Sequence, residues 1–333
     1  MVKADAYGLG ATRVACALQE LDPWGFGVAT IAEGDELRRA GIDRPIVVFT
    51  PLLIEEFDAA RRARLTPTLG AADAIREWSR AGLPWHLAVD TGMNRAGVSW
   101  RDVKTLHDAI VAAPPQGVFT HFHSAERGDG SREEQEQRFN AVLADLPVRP
   151  EMIHAENSPA VARRGPRDGQ RWTVARPGIF LYGVGSGAGE QIAPDPVVSL
   201  RARVVDLRTI EAGDTVSYGA TFRAETRRRI ATLAVGYADG YRRALSNIGT
   251  ILVGGRRARV AGLVTMDMTM IDVTDVACEI GDVATLIGAD GSDQITVADV
   301  ATTANLSPYE VLTGLRSRLP RRYVTDGLAG DNE

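Results

Sequence analysis

Short apolar runs alternate with helically spaced segments along the first half of the chain. The stretches "WGFGVAT" (24–30), "PIVVFT" (45–50), "LTPTL" (65–69), "WHLAVDTG" (85–92), "GVFTHFHS" (117–124), "EMIHAENS" (151–158) and "WTVARPGI" (172–179) read as strands. Among the segments between them, "IAEGDELRRAG" (31–41), "LIEEFDAARRAR" and "AADAIREWSRAG" have helical spacing. Such alternation predicts a parallel sheet with helical crossovers. So many units in about 190 residues favour a closed TIM-type (β/α)8 barrel over an open sheet. From about residue 195 the character changes to β-branched runs with turn signals between them, such as "RRIATLAVGY" and "TILVGGRRARV". The expectation is an α/β barrel over 1–194 and a mainly β, antiparallel domain over 195–333. In "NLSPYEV", Ser307 and Pro308 predict an N-cap and first helical position.

Composition narrows the function. The net charge of -5 offers no reason to expect nucleic acid or an anionic membrane as partner. No apolar run approaches the roughly 20 residues that a spanning helix needs. Cys16 and Cys278 have neither metal nor redox spacing, which fits a reducing, cytoplasmic setting. Of 38 basic residues, only Lys3 and Lys104 are lysines. A lysine that survives so strong a preference for arginine is a candidate for chemistry that needs an amine able to lose its proton. Lys104, in "SWRDVKTLHDAIVAA", has the spacing of a surface helix, which leaves Lys3.

The polar residues at the predicted strand ends supply the rest: "DTGMNR", "HFHSAE", "HAENSP" and "ARPG". His121 and His123, two apart on a strand, would share a face and so open a metal-dependent hydrolase reading. "GVGSGAGE" (183–190) contains a loose dinucleotide fingerprint, but "QIAPDPVV" after it has no helical pattern. "ENSPAV" and "RPGIFLYG" offer small residues and backbone N–H groups for a phosphate, with an arginine poised for a ring nitrogen. A reactive lysine and a phosphate corner in one barrel point to pyridoxal phosphate (PLP).

In order along the chain stand "VKADAYGLG", "VDTGMNRAG", "THF", "NS", "RPGIFLYG", "VSYGATF", "GYADGY" and "TMDM". From Met1 to about Tyr323 this series resembles the alanine racemases, fold-type III PLP enzymes. The resemblance implies that Lys3 carries the cofactor and serves as one base, with Tyr218 the opposite base. It implies that Arg176 faces the pyridine nitrogen with His121 behind it. Ser158, Gly178, Ile179 and Tyr7 would hold the phosphate. Arg95 and the Met266 backbone N–H would bind the substrate carboxylate, and Tyr237 and Arg243 would line the entry channel. It also implies a head-to-tail homodimer with composite sites, in which Tyr218 and the Met266 loop reach the partner's cofactor.

The chain departs from the family pattern at several positions. Ala88 stands where a carbamylated lysine is common, Leu263 where an entry-channel arginine is common, Glu126 for an aspartate, and Ser317 where some members place a phosphate-binding tyrosine. These changes keep two alternatives open: a broad-specificity amino-acid racemase, and a PLP-binding protein with weak or no turnover. Family members usually carry a few dozen residues before the lysine, including most of the first barrel strand. The expectation is therefore that the natural N-terminal segment is missing here.

Overall fold

In the computed structural model, which describes residues 1–164, 172–187 and 189–324, the chain divides into two units, Met1–Asp195 and Pro196–Glu333. The first unit is built on the apolar runs. Strands β1 (Phe26–Val28), β2 (Ile46–Val48), β3 (Thr66–Leu69), β4 (His86–Asp90), β6 (Gly117–Phe119) and β7 (Met152–His154) pair in parallel in that order. A short strand, β5 (Val98–Ser99), adds to β4 off this path. Nearly every residue of these strands is buried, as in a parallel sheet covered by helices.

The helices between strands start and stop where the local chemistry directs. Helix Ile31–Arg39 is capped by Thr30 and Glu33, and Gly41 follows it at φ +83°. Its last turn carries Arg38 and Arg39, favourable at the negative end of the helix dipole.

The strand expected over 172–179 is absent. Pro177 lacks an N–H and restricts Arg176 before it, so a regular ladder cannot run through this stretch. The segment still lies against β7: Thr173 N–H reaches Ile153 O (2.8 Å), and Arg176 N–H reaches Glu156 O (2.9 Å). Val2 N–H donates to Gly27 O and the Met1 nitrogen to Pro177 O, both at 2.9 Å. Residues outside any regular strand therefore bridge β1 to the segment beside β7, while the paired strands themselves form a half-barrel rather than the eight strands of a closed (β/α)8 barrel.

The second unit is antiparallel. It contains β8 (Leu200–Ile210), a small ribbon of β9 (Thr215–Val216) and β10 (Phe222–Arg223), β11 (Arg228–Leu233), β12 (Thr250–Val253), β13 (Arg256–Val260), β14 (Thr269–Asp272), β15 (Val283–Asp290) and β16 (Asp293–Ile295). The main sheet runs β12-β13-β14-β11-β8-β15-β16, and β12 also pairs with β15, so the sheet closes on itself. Closure leaves few free edges, and register shifts in β11 and β15 allow the curvature it needs. Helices Val297–Ala304 and Pro308–Thr313 follow, the second capped by the Ser307 hydroxyl with Pro308 at its start.

Candidate active site

After the Val2 bond to β1, the chain leaves the sheet in a left-handed turn. Ala4, Asp5, Ala6 and Tyr7 have φ of 53°, 54°, 51° and 57°. Such a turn costs L-residues about 1–2 kcal/mol each. Several contacts hold it. Glu33 accepts the N–H groups of Ala4 (2.7 Å) and Ala29 (2.6 Å), while Asp5 accepts that of Ala11 (2.7 Å) at the start of helix Ala11–Leu18. The Tyr7 ring packs on Tyr182 with centroids 4.7 Å apart, and the Tyr182 hydroxyl donates to Met1 O (2.7 Å). Lys3 leads into this turn and is half-buried. Burial lowers the pKa of its amine, Arg95 pushes the same way, and Glu33 opposes them. A lysine so placed loses its proton more easily and is more readily nucleophilic at neutral pH.

Arg176 is buried on an aromatic floor, its guanidinium carbon 5.2 Å from the Phe119 centroid and 5.7 Å from that of Phe49. Nη2 donates to Thr120 O (2.7 Å) and approaches His121 Nδ1 (3.4 Å), while Nη1 lies 2.7 Å from His154 Nδ1. Burial lowers the Arg176 pKa to about 9, with Glu156 opposing, so it stays a cation at neutral pH. His154 Nδ1 therefore accepts from the arginine, and its Nε2–H is left to donate to His86 Nδ1 at 2.9 Å. Burial, then the Arg176 charge, lowers the His121 pKa to about 3; burial likewise lowers that of His86 to about 4 and of His154 well below the usual value. Neutral histidines thus surround one cation.

The corner expected to hold phosphate is compact. Buried Ser158 opens helix Ser158–Arg164, and its Oγ accepts from Gly178 N–H (2.7 Å) and Phe180 N–H (3.3 Å). Ile179 opens the short helix Ile179–Tyr182, where its N–H has no intrahelical partner. A Cβ on residue 178 would lie 2.3 Å from Tyr7 Oη, so only glycine lets that hydroxyl reach the corner. Lys3, Tyr7, Ser158, Arg176, Gly178 and Ile179 are thereby gathered at one end of the barrel. Arg95 and His121 are near enough that the Arg95 charge is felt at Lys3, His121 and Arg176.

His121 and His123 do not share a strand face. β6 ends at Phe119, and beyond it the backbone is irregular. His121 turns to Arg176, whereas His123 is exposed and contacts Ser124 (2.8 Å). Among the described residues no three His, Cys, Asp or Glu side chains gather as a metal site. No helix follows "GVGSGAGE" either; around it, Glu190 accepts from Ser186 and Gly187 in a turn.

Tyr218, Tyr237 and Met266 lie in the second unit. Tyr218 is in a turn, not a strand, with Ser217 at φ +67° and Gly219 at φ +69°, and it is 74% exposed. Its loop is tied through Ser217 Oγ to Leu263 O (2.7 Å). Tyr237 N–H bonds Thr265 O (2.9 Å) and Ala238 N–H bonds Met266 O (3.0 Å). Tyr218, Tyr237, Met266 and Met268 are all solvent-exposed apolar groups on these joined loops.

The family model for the N-terminal domain of alanine racemase matches residues 1–186, and that for the C-terminal domain matches 197–323. The chain belongs to the alanine racemase family. It is 37% identical to the alanine racemase of Halothermothrix orenii, over 97% of this chain and 89% of that one. The Deinococcus radiodurans alanine racemase is 40% identical over 96% of this chain and 90% of its own length. Among solved structures, alanine racemase from E. faecalis superposes with a TM-score of 0.90 at 32% identity, covering 97% of this chain and 90% of the other. The Bartonella henselae alanine racemase, with covalently bound pyridoxal phosphate, gives 0.88 at 29% identity, covering 97% and 91%. Against this alanine racemase framework, the buried partners His154, His86 and Gln135 went unassigned in the sequence. Their one local signal was a polar residue set within an apolar strand or helix face.

Proposed function

We infer that this site interconverts L- and D-alanine with pyridoxal phosphate, with Lys3 and Tyr218 acting as bases on opposite faces of the α-carbon. Lys3 carries the reading: it is an amine with a depressed pKa, two residues from Met1, whose nitrogen bonds Pro177 O between buried Arg176 and Gly178. The donor set fits the cofactor. Gly178 and Ile179 N–H groups, the Ser158 hydroxyl and the Tyr7 hydroxyl suit a phosphate; Arg176 suits a ring nitrogen; Lys3 suits the carbonyl carbon. When bound, pyridoxal phosphate supplies an electron sink for the pair left on the α-carbon.

The chain's own residues do the rest. Lys3 Nζ would remove or return the α-proton on one face, and Tyr218 Oη would do so on the other. Arg176 keeps its protons and would donate a hydrogen bond to a ring nitrogen without protonating it. His121 lies beside that guanidinium. Arg95 and the Met266 N–H take the substrate carboxylate, and Tyr237 lines the way in. Tyr218 and Met266 act on the cofactor of a second copy in a head-to-tail homodimer, a role supported by the apolar surface exposed on their loops. The free thiols Cys16 and Cys278 favour a cytoplasmic location.

Borohydride reduction of the PLP-loaded protein, followed by peptide mapping, is expected to label Lys3; label on Lys104, or none, would sink the reading. The two-base assignment predicts that Tyr218→Phe slows α-deuterium exchange from one alanine enantiomer by about 10²–10⁴-fold. Equal slowing from both enantiomers would argue against it.

A further inference from the structure

Helix Ser131–Asp145 buries Gln135 to 1% exposure, and the amide spends its polar atoms on two different strand ends. Its Nε2 donates to Thr91 Oγ1 and to the His121 carbonyl, both at 3.1 Å, while Oε1 accepts from His123 N–H at 3.0 Å. Thr91 Oγ1 also lies 2.7 Å from Thr120 Oγ1. One buried amide thus joins the end of β4 to the end of β6. These are the points from which Arg95 and His121 leave the sheet.

One helical turn on, Arg138 Nη1 donates to Thr91 O (2.8 Å), and its guanidinium sits 5.5 Å from the Trp100 ring centroid. Trp100 N–H bonds back to Asp90 O (2.9 Å). The segment 91–100 is therefore gripped at both flanks from a single helix. Arg95, at its centre, is exposed and makes no hydrogen bond or ion pair among the described residues. The fold therefore fixes its placement through the backbone that carries it. Ordering that backbone in advance reduces the entropy lost when the guanidinium closes on a carboxylate.

We propose that Gln135 and Arg138 are positioning residues that aim Arg95 at the substrate carboxylate. The proposal rests on the assignment of Lys3 and Arg95 made above. It separates carboxylate recognition from amine chemistry, and two small probes test this on the PLP-loaded protein. Propionate has the carboxylate without the amine; ethylamine has the amine without the carboxylate. Gln135→Met and Arg138→Met each preserve much of the side-chain length and remove the hydrogen bonds.

In each variant, KM for L-alanine and Kd for propionate are expected to rise about tenfold. The kcat should stay within about twofold, and ethylamine binding, followed by its protection of Lys3 from borohydride labelling, should be unchanged. Arg138→Lys, which keeps a donor, should recover part of the loss. Unchanged propionate affinity in both variants overturns the proposal, as does ethylamine binding weakened in parallel, which is the mark of a merely structural role. If borohydride reduction of the unaltered protein leaves no label on Lys3, the Lys3 assignment itself fails and the proposal falls with it. Should Gln135→Met not fold, Arg138→Met carries the same readouts.

Discussion

Gly178 and Tyr7 meet where the phosphate is proposed to sit, and their closeness makes a sharp test. A methyl group on residue 178 would stand 2.3 Å from Tyr7 Oη, well inside contact distance. Gly178→Ala must therefore push the Tyr7 ring away from Tyr182 or shift the short helix behind it. Overpacking of this kind costs about 1–3 kcal/mol. The expected result is a PLP Kd at least tenfold weaker, measured by cofactor titration. Tyr7→Phe removes the obstructing oxygen, so in that background Gly178→Ala should cost much less. A double-mutant cycle without such coupling would show that the hydroxyl is not what the glycine accommodates.

The left-handed turn makes a second prediction, at the level of an element. Ala4 is exposed at φ 53°, where glycine escapes the penalty of a Cβ. Ala4→Gly should stabilise the first unit by about 0.5–1 kcal/mol, the strain relieved less the extra entropy of an unfolded glycine. Ala6 adopts the same conformation but is fully buried, so Ala6→Gly loses packing and should gain nothing. Denaturant unfolding followed by tryptophan fluorescence reads this unit alone, because Trp24, Trp78, Trp85, Trp100 and Trp172 all precede residue 195. The same turn marks where sequence reading ran out. Apolar runs disclosed β1 to β4, β6 and β7 because burial on both faces leaves a continuous pattern, whereas the two-residue β5 is too short to leave one. Nothing local in "ADAY" forces positive φ; contacts from Glu33, 29 residues away from Ala4, hold it there. Lys3 was legible because lysine is rare in this chain, and Gly178 because a phosphate corner needs a small residue. The relay behind Arg176 was not, because His154 and His86 are brought together from positions 68 residues apart.

For the molecule as a whole, that relay links the site to acid stability. His86 titrates at about 4 in the folded chain, below its ordinary value of 6.5, chiefly through burial. On acidification the unfolded chain therefore takes up the proton first. The stabilisation is fully present above pH 6.5 and is lost as pH falls towards 4, with unfolding favoured by on the order of 3 kcal/mol across that window. His154 and His121 shift in the same direction and steepen the fall. Carboxylates contribute to any acid limb, so the test is a difference. His86→Gln keeps an acceptor for His154 Nε2–H and removes the titrating ring. Its tryptophan-monitored stability should fall less steeply than that of the unaltered chain between pH 6.5 and 4, while the two curves run parallel above pH 7. Parallel curves throughout would mean that His86 is not held neutral by its surroundings.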